Sequence, residues 1–200
     1  MLIALIRHGP TEWNAQRRVQ GSVDTPLSEA GRARMAGLAP PEGFSAARPF
    51  VSPKRRARQT AALLGLENPT IDARLAEQNW GCWEGLTREE MLARDGADAF
   101  TRAGLGLQFR PPGGESTGEL LARVQDFLAC IAKLDEDAVA VTHMGVLRSA
   151  YALATGWDMA SAMPDALDLA AALVLSLGLD GTAQIAELNA PLTPRRVPGA

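Results

Sequence analysis

Cysteine is scarce in this 200-residue chain: Cys82 and Cys130 lie far apart, with no CxxC pair and no metal-ligand spacing. A disulfide scaffold and a cysteine-built metal module are therefore excluded as the basis of the fold, and both thiols are read as free. Aromatic residues make up only 5% of the chain, and the longest uncharged apolar run, Leu169 to Leu179, has eleven residues. That run is short of the roughly 18 residues that a membrane-spanning helix needs. Charge of neither sign dominates, with 20 Lys+Arg against 23 Asp+Glu for a net charge of −3. No global basic field draws the chain to nucleic acid or to an anionic membrane, so any anion must be held locally. The opening Met-Leu-Ile-Ala-Leu-Ile has no basic leader and meets Arg7 too soon for a secretory segment, so it is read as a first strand and the protein as cytoplasmic. The length fits one domain, residues 1–190, and the prolines and arginines of 191–200 predict a loosely ordered tail.

What is present alternates between strand and helix patterns, which predicts an α/β domain with a largely parallel sheet. Leu2–Ile6 is a short apolar run, as expected of a strand buried on both faces. The loop-rich stretch from Arg7 to Leu27 is long enough to suggest function. A helix is predicted from Ser28 to about Leu38, a strand at Pro49–Ser52, and a helix from Arg55 to Leu64 closed by Gly65. Thr87 with Glu90, and Ser116 with Glu119, are capping-box pairs that open two more helices. The second of these carries Leu120, Leu121, Val124, Phe127, Leu128, Ile131 and Leu134 at helical spacing, one wide apolar face. Ala138–Val141 reads as a buried strand, Gly145–Thr155 as a helix ended by Gly156, and Ala171–Leu177 with Ala183–Leu188 as a hairpin around Asp180-Gly181.

Histidine occurs only twice, and each residue follows a strand-like run. Leu2–Ile6 leads into Arg7-His8-Gly9, Phe50–Val51 into Ser52-Pro53-Lys54-Arg55-Arg56, and Ala138–Val141 into Thr142-His143. In an open parallel sheet, ligands bind beyond the carboxyl ends of the strands, so this pattern gathers both histidines and several arginines at one edge. Lys54–Arg58 holds four positive charges in five residues, while the rest of the chain carries a net −7. Arginine forks and helix N-termini both suit phosphate. Taken alone, a charge run at a helix start reads as a solvated face and a single histidine as structural; it is their coincidence at strand ends that points to a site.

Arg7-His8-Gly9-x-Thr11-x-Trp13-Asn14, followed by Gln20-Gly21-x-x-Asp24-x-Pro26-Leu27-Ser28-x-x-Gly31, resembles the opening of the histidine phosphatase superfamily, in its phosphoglycerate mutase-like branch. Four further blocks follow in the family's order: Ser52-x-x-x-Arg56-Ala57-x-Gln59-Thr60, Leu75-x-Glu77-x-x-x-Gly81-x-Trp83-Glu84-Gly85, Pro112-Gly113-Gly114-Glu115-Ser116 and Thr142-His143-x-Gly145. The resemblance implies a three-layer α/β/α sandwich with a mostly parallel sheet, and a metal-independent phosphomonoester hydrolase acting on a small phosphorylated metabolite. It implies His8 as phosphoryl acceptor, with Arg7, Arg56 and His143 around the phosphate and Glu77 as proton donor. Asn14, Gln20, Gly21 and Met144 fall around the phosphate or its ester group. Thr11, Trp13 and Arg58 serve equally well as packing or surface residues, and Glu84 and Glu115 read either as acids that order the site through hydrogen bonds to arginine or as solvated surface acids. No cofactor is implied, and two arginines beside a His8, His143 and Glu77 triplet argue against a metal there.

Met144 stands where the family often has glycine, Pro10 where it often has glutamate, and both are expected near the leaving group. Gln78 replaces the arginine that usually follows the glutamate in phosphoglycerate mutases, and their longer lid is absent. A phosphatase must admit water to its phosphoenzyme whereas a mutase must exclude it, so hydrolysis is preferred here. Mutase-type phosphoryl transfer and a catalytically silent phosphate-binding module are the alternatives.

Overall fold

In a computed structural model, residues 1–134 and 136–195 are described. The central sheet is built around β1 (Leu2–Arg7), flanked by β5 (Ala138–Thr142) and β6 (Ala172–Leu177). Beyond β5 lie β3 (Arg48–Val51) and β4 (Thr70–Ile71), and beyond β6 lies β7 (Ala183–Ala190), giving the order β4-β3-β5-β1-β6-β7. The pairs β1/β5, β5/β3 and β3/β4 are parallel, with Ile3 opposite Ala138 and Arg7 opposite Thr142. The pairs β1/β6 and β6/β7 are antiparallel, and the turn between the last two passes through Gly181 at φ +84°, as the Asp180-Gly181 dipeptide predicts.

The apolar strands are buried on both faces because alternate side chains enter different layers. Ile3, Leu5, Ala138 and Ala140 pack with α6 (Thr117–Ile131) and α7 (Met144–Thr155), whose Leu120, Val124, Phe127, Leu147 and Tyr151 form the larger core. Ala4, Ile6, Val139 and Val141 face the opposite way, against Met35 of α2 (Glu29–Met35) and Ala57 and Ala61 of α3 (Arg55–Leu63). Helices on both faces of a mostly parallel sheet make the three-layer sandwich that the sequence leads one to expect.

Local chemistry accounts for the element ends. Both predicted capping boxes form, Thr87 with Glu90 opening α4 (Arg88–Asp95) and Ser116 with Glu119 opening α6. A third, Thr11 with Asn14, opens the single turn α1 (Glu12–Ala15). Helix α7 stops at Gly156, whose φ of +75° is the left-handed conformation that glycine adopts freely. Met91 of α4 and Ala99 of α5 (Ala99–Ala103) pack around the buried Trp83, with Trp80, Phe100 and Phe109 against them, so residues 78–115 form a wall beside the sheet's carboxyl edge.

Two expectations change. The helix from Ser28 ends at Met35, before Leu38, because Leu38–Ala39 (β2) pairs with Thr193–Pro194 (β8). For the same reason residues 191–195 are not a loose tail: Leu192 packs with the α2 and α3 core, Thr193 Oγ1 donates to the Pro40 carbonyl at 2.9 Å, and the Arg195 N–H donates to the Gly37 carbonyl at 2.7 Å. Residues 196–200 of that predicted tail lie outside the described residues.

Candidate active site

Because β3, β5 and β1 are adjacent and parallel, the segments that follow them emerge side by side. The His8 N–H donates to the Thr142 carbonyl at 2.9 Å and the Ser52 N–H to the Val141 carbonyl at 3.0 Å, which carries the ladder into the site. The His8 and His143 rings come to 5.1 Å between centroids, tilted by 58°.

His8 is buried, with Nδ1 2.7 Å from the Gly9 carbonyl oxygen. A carbonyl only accepts, so Nδ1 holds the ring's proton and Nε2 presents a lone pair. Burial first, then the positive charges of Arg56 and Arg7, lower its pKa to about 3, which keeps the imidazole neutral and nucleophilic at ordinary pH. His143 is fully buried, with Nε2 2.7 Å from Ser52 Oγ. Ser52 Oγ accepts the Lys54 N–H at 3.3 Å, so among the described residues its own proton has His143 Nε2 as its acceptor. This places the His143 proton on Nδ1, a buried donor with no partner, next to His8. Ser52 was quoted within a motif but given no role; its spacing from Arg56 carries no hint of a contact 91 residues away.

Arg56 is the one fully buried member of the basic run and its charge acts on His8, Lys54 is half-buried, and Arg55 and Arg58 stay exposed. Its Nη1 donates to the Val23 carbonyl at 2.9 Å and its Nη2 to the Gly21 carbonyl at 3.1 Å, while Nε, like Arg7 Nε, is buried without a partner. Glu84 holds that loop from beneath, accepting the Ser22 N–H at 2.6 Å and the Val23 N–H at 2.8 Å. It orders Arg56 through the loop's backbone, not by a direct bond. Gly21 is not among the residues lining the pocket, and neither are the buried Arg56 and His143; a Cβ at Gly21 would strike Glu84 Oε1, and its carbonyl accepts from Arg56. Glu115 pairs with Arg123 at 2.7 Å, away from the two site arginines.

Glu77 Oε1 accepts the Gln78 N–H at 2.9 Å and the Gly145 N–H at 3.0 Å, the latter from the first turn of α7. A Cβ on Gly145 would meet the same oxygen, which is why position 145 is glycine. Burial raises the Glu77 pKa, and the Gln78 N–H, Arg56, the Gly145 N–H and Arg7 counter this only in part. Thr11 is buried in a network with two carboxamides: its N–H donates to Asn14 Oδ1 at 3.0 Å, and its hydroxyl lies 2.9 Å from Gln20 Oε1. Asn14 and Gln20 both line the pocket, and with their oxygens so engaged their NH2 groups are the donors left for a ligand.

That pocket encloses about 400 Å³. Arg7, His8, Asn14, Gln20, Glu77 and Met144 line it on the side of the sheet, and Val19, Trp80, Leu105, Phe109 and Met159 supply an apolar wall. Pro10, expected near the leaving group, is absent from that lining; it borders a second cavity, which Arg7 and His8 also line together with Arg34 and Leu192. Trp13 packs its ring on Gly85. Among the described residues no three His, Cys, Asp or Glu side chains group as metal ligands, and no helix is long and apolar enough to cross a membrane.

The buried histidines give a pH signature. His8 and His143 both have folded pKa values below their ordinary 6.5, so the unfolded chain binds protons that the folded one refuses, and stability falls with acidification. The expected loss between about pH 7 and about pH 5.5 is about 1 kcal/mol per histidine. Glu77, raised, acts in the opposite sense and offsets part of it, whereas the salt-bridged carboxylates have lowered values and matter only in stronger acid. Urea unfolding midpoints should therefore drop over this interval; an unchanged or higher midpoint would contradict the buried neutral pair.

The comparisons with known proteins agree with this geometry. The model of the histidine phosphatase superfamily, branch 1, matches residues 3–190. The chain is 34% identical to a metal-independent phosphoserine phosphatase of Arabidopsis thaliana over 74% of its own length and 66% of that protein's. It is 30% identical to a 2,3-bisphosphoglycerate-dependent phosphoglycerate mutase of Xanthobacter autotrophicus, over 90% of this chain and 94% of the mutase. A mycobacterial glucosyl-3-phosphoglycerate phosphatase, solved with VO3, superposes with a TM-score of 0.77 at 29% identity, covering 94% of this chain and 98% of that one.

Proposed function

The chain belongs to branch 1 of the histidine phosphatase superfamily, and from that premise we propose that it releases inorganic phosphate from small phosphorylated metabolites in two displacements at His8, without a metal. The protein is a phosphoric monoester hydrolase. The observation that carries the mechanism is the His8 Nδ1 contact: the Gly9 carbonyl can only accept a hydrogen bond, so Nδ1 keeps the proton and Nε2 has the lone pair, on a ring that lines the pocket.

Arg7, Arg56, the Nδ1–H of His143 and the amides of Asn14 and Gln20 hold the phosphate, spreading positive charge around its equatorial oxygens. His8 Nε2 attacks phosphorus as the ester P–O bond breaks, and Glu77 gives its proton to the departing alkoxide. In the second displacement Glu77, now a carboxylate, takes a proton from water as its oxygen attacks phosphorus and the N–P bond breaks. Burial, and the negative phosphate beside it, keep Glu77 protonated for the first step. Met144 and the apolar wall receive the alcohol portion of the ester.

Turnover with a chelator present, on p-nitrophenyl phosphate and small alkyl phosphates including 3-phosphoglycerate, tests this reading. Release of inorganic phosphate is the expected result. Conversion of 3-phosphoglycerate to its 2-isomer without release would replace it with the mutase reading, and phosphate binding without either reaction would leave a silent binding module.

A further inference from the structure

Three arginines line the pocket. Arg7 stands next to His8 at the phosphate end. Arg18 is engaged elsewhere, its Nη1 donating to the Gly85 carbonyl at 2.6 Å and pairing with Glu90 at 2.7 Å. Arg148 has no such employment. It is half-buried on α7, its guanidinium stacked over the Trp157 ring with Cζ 5.1 Å from the centroid. Among the described residues no carboxylate lies within ion-pair distance of it, and its Nε is buried without an acceptor. A guanidinium held partly out of water without an acceptor is costly unless a ligand supplies one.

Its position limits what that ligand is. Arg148 lies four residues beyond Met144 on the same helix, so the two share a face and stand roughly 6 Å apart along the axis. A small ester anchored by its phosphate at His8 therefore reaches Arg148 with the far end of its alcohol portion. Gln78 does not compete for that end, because its Nε2 donates to the Glu115 carbonyl at 2.9 Å. A planar fork of donors matches a carboxylate bidentately, whereas a second phosphate, with its larger charge, would call for more than one guanidinium.

We propose that Arg148 is a specificity-determining residue that binds a carboxylate on the alcohol portion of the substrate, which makes phosphate monoesters of small hydroxy acids the preferred class. The inference rests on the phosphatase reading and deepens it. The test compares 3-phosphoglycerate with glycerol 3-phosphate, which replaces the carboxylate by a hydroxymethyl group, in the wild type, Arg148→Gln and Arg148→Lys. The wild type is expected to favour the carboxylate ester by about 30-fold to 100-fold in kcat/KM, chiefly through KM. Arg148→Gln brings the ratio close to one, and Arg148→Lys keeps part of it as a point charge without the fork. A wild-type ratio near one, or a ratio that survives in Arg148→Gln, overturns the assignment. Should the glutamine variant not fold, the wild-type ratio and the lysine variant still decide. Turnover of p-nitrophenyl phosphate with no preference between the two esters defeats the Arg148 role alone, whereas no turnover of any ester defeats the hydrolase reading and this inference with it.

Discussion

Replacing His8 by alanine is expected to lower phosphate release by about 10⁵-fold or more, the scale of loss when a covalent nucleophile is removed from a preorganised site. Nothing nearby can take its place. His143 has Nε2 bonded to Ser52 and a proton on Nδ1, so it offers no free lone pair, and Arg7 and Arg56 are not nucleophiles. The variant should still bind inorganic phosphate, because the arginines and the Asn14 and Gln20 amides remain. Retained phosphate binding separates loss of the nucleophile from loss of the fold. Turnover within tenfold of wild type would remove His8 from the reaction.

Glu77→Gln is the second large effect, and its size should depend on the leaving group. A simple alkoxide needs a proton as it departs, and general acid catalysis contributes about 10²-fold to 10⁴-fold. The glutamine amide keeps the shape and can still accept the Gln78 and Gly145 N–H groups, so the wall of the pocket is preserved. On p-nitrophenyl phosphate, whose phenolate leaves unaided, the first displacement should slow by less than about tenfold. Pre-steady-state release of nitrophenolate measures that step apart from the second, in which Glu77 serves as base. Equal losses on alkyl and aryl esters in the first step would assign Glu77 to positioning and not to proton transfer.

Much of this architecture was legible because strong local signals coincide with what the tertiary structure requires. The apolar runs at Leu2–Ile6 and Ala138–Val141 could only be strands covered on both sides, and the capping boxes at Thr87 and Ser116 marked helix starts to the residue. The clustering of His8, Arg56 and His143 was legible because strand ends of a parallel sheet share one edge, so residues far apart in sequence are neighbours by topology. What stayed hidden depends on contacts that no local pattern encodes. The β2/β8 pairing joins residues more than 150 apart, and three prolines argued for looseness where alternate backbone groups sufficed for a bridge. The resemblance puts Gly21 around the phosphate or its ester group, and no local pattern told that its missing Cβ makes room for Glu84. Ser52 stands in a motif block that gives it no role, and Arg148 stands in none; what marks them is an orphaned ring proton in one case and an unpaired guanidinium in the other.

The measurement that tests the central claim most directly is chemical quench of the wild-type enzyme during turnover, with peptide mass spectrometry under alkaline conditions that preserve phosphohistidine. The two-displacement account predicts a phosphoryl group on the peptide containing His8, stable in base, lost in acid, and absent from His143. A quench that finds no phosphoenzyme at any time, in the wild type or in Glu77→Gln, although both release phosphate, would mean direct attack by water and would contradict the account.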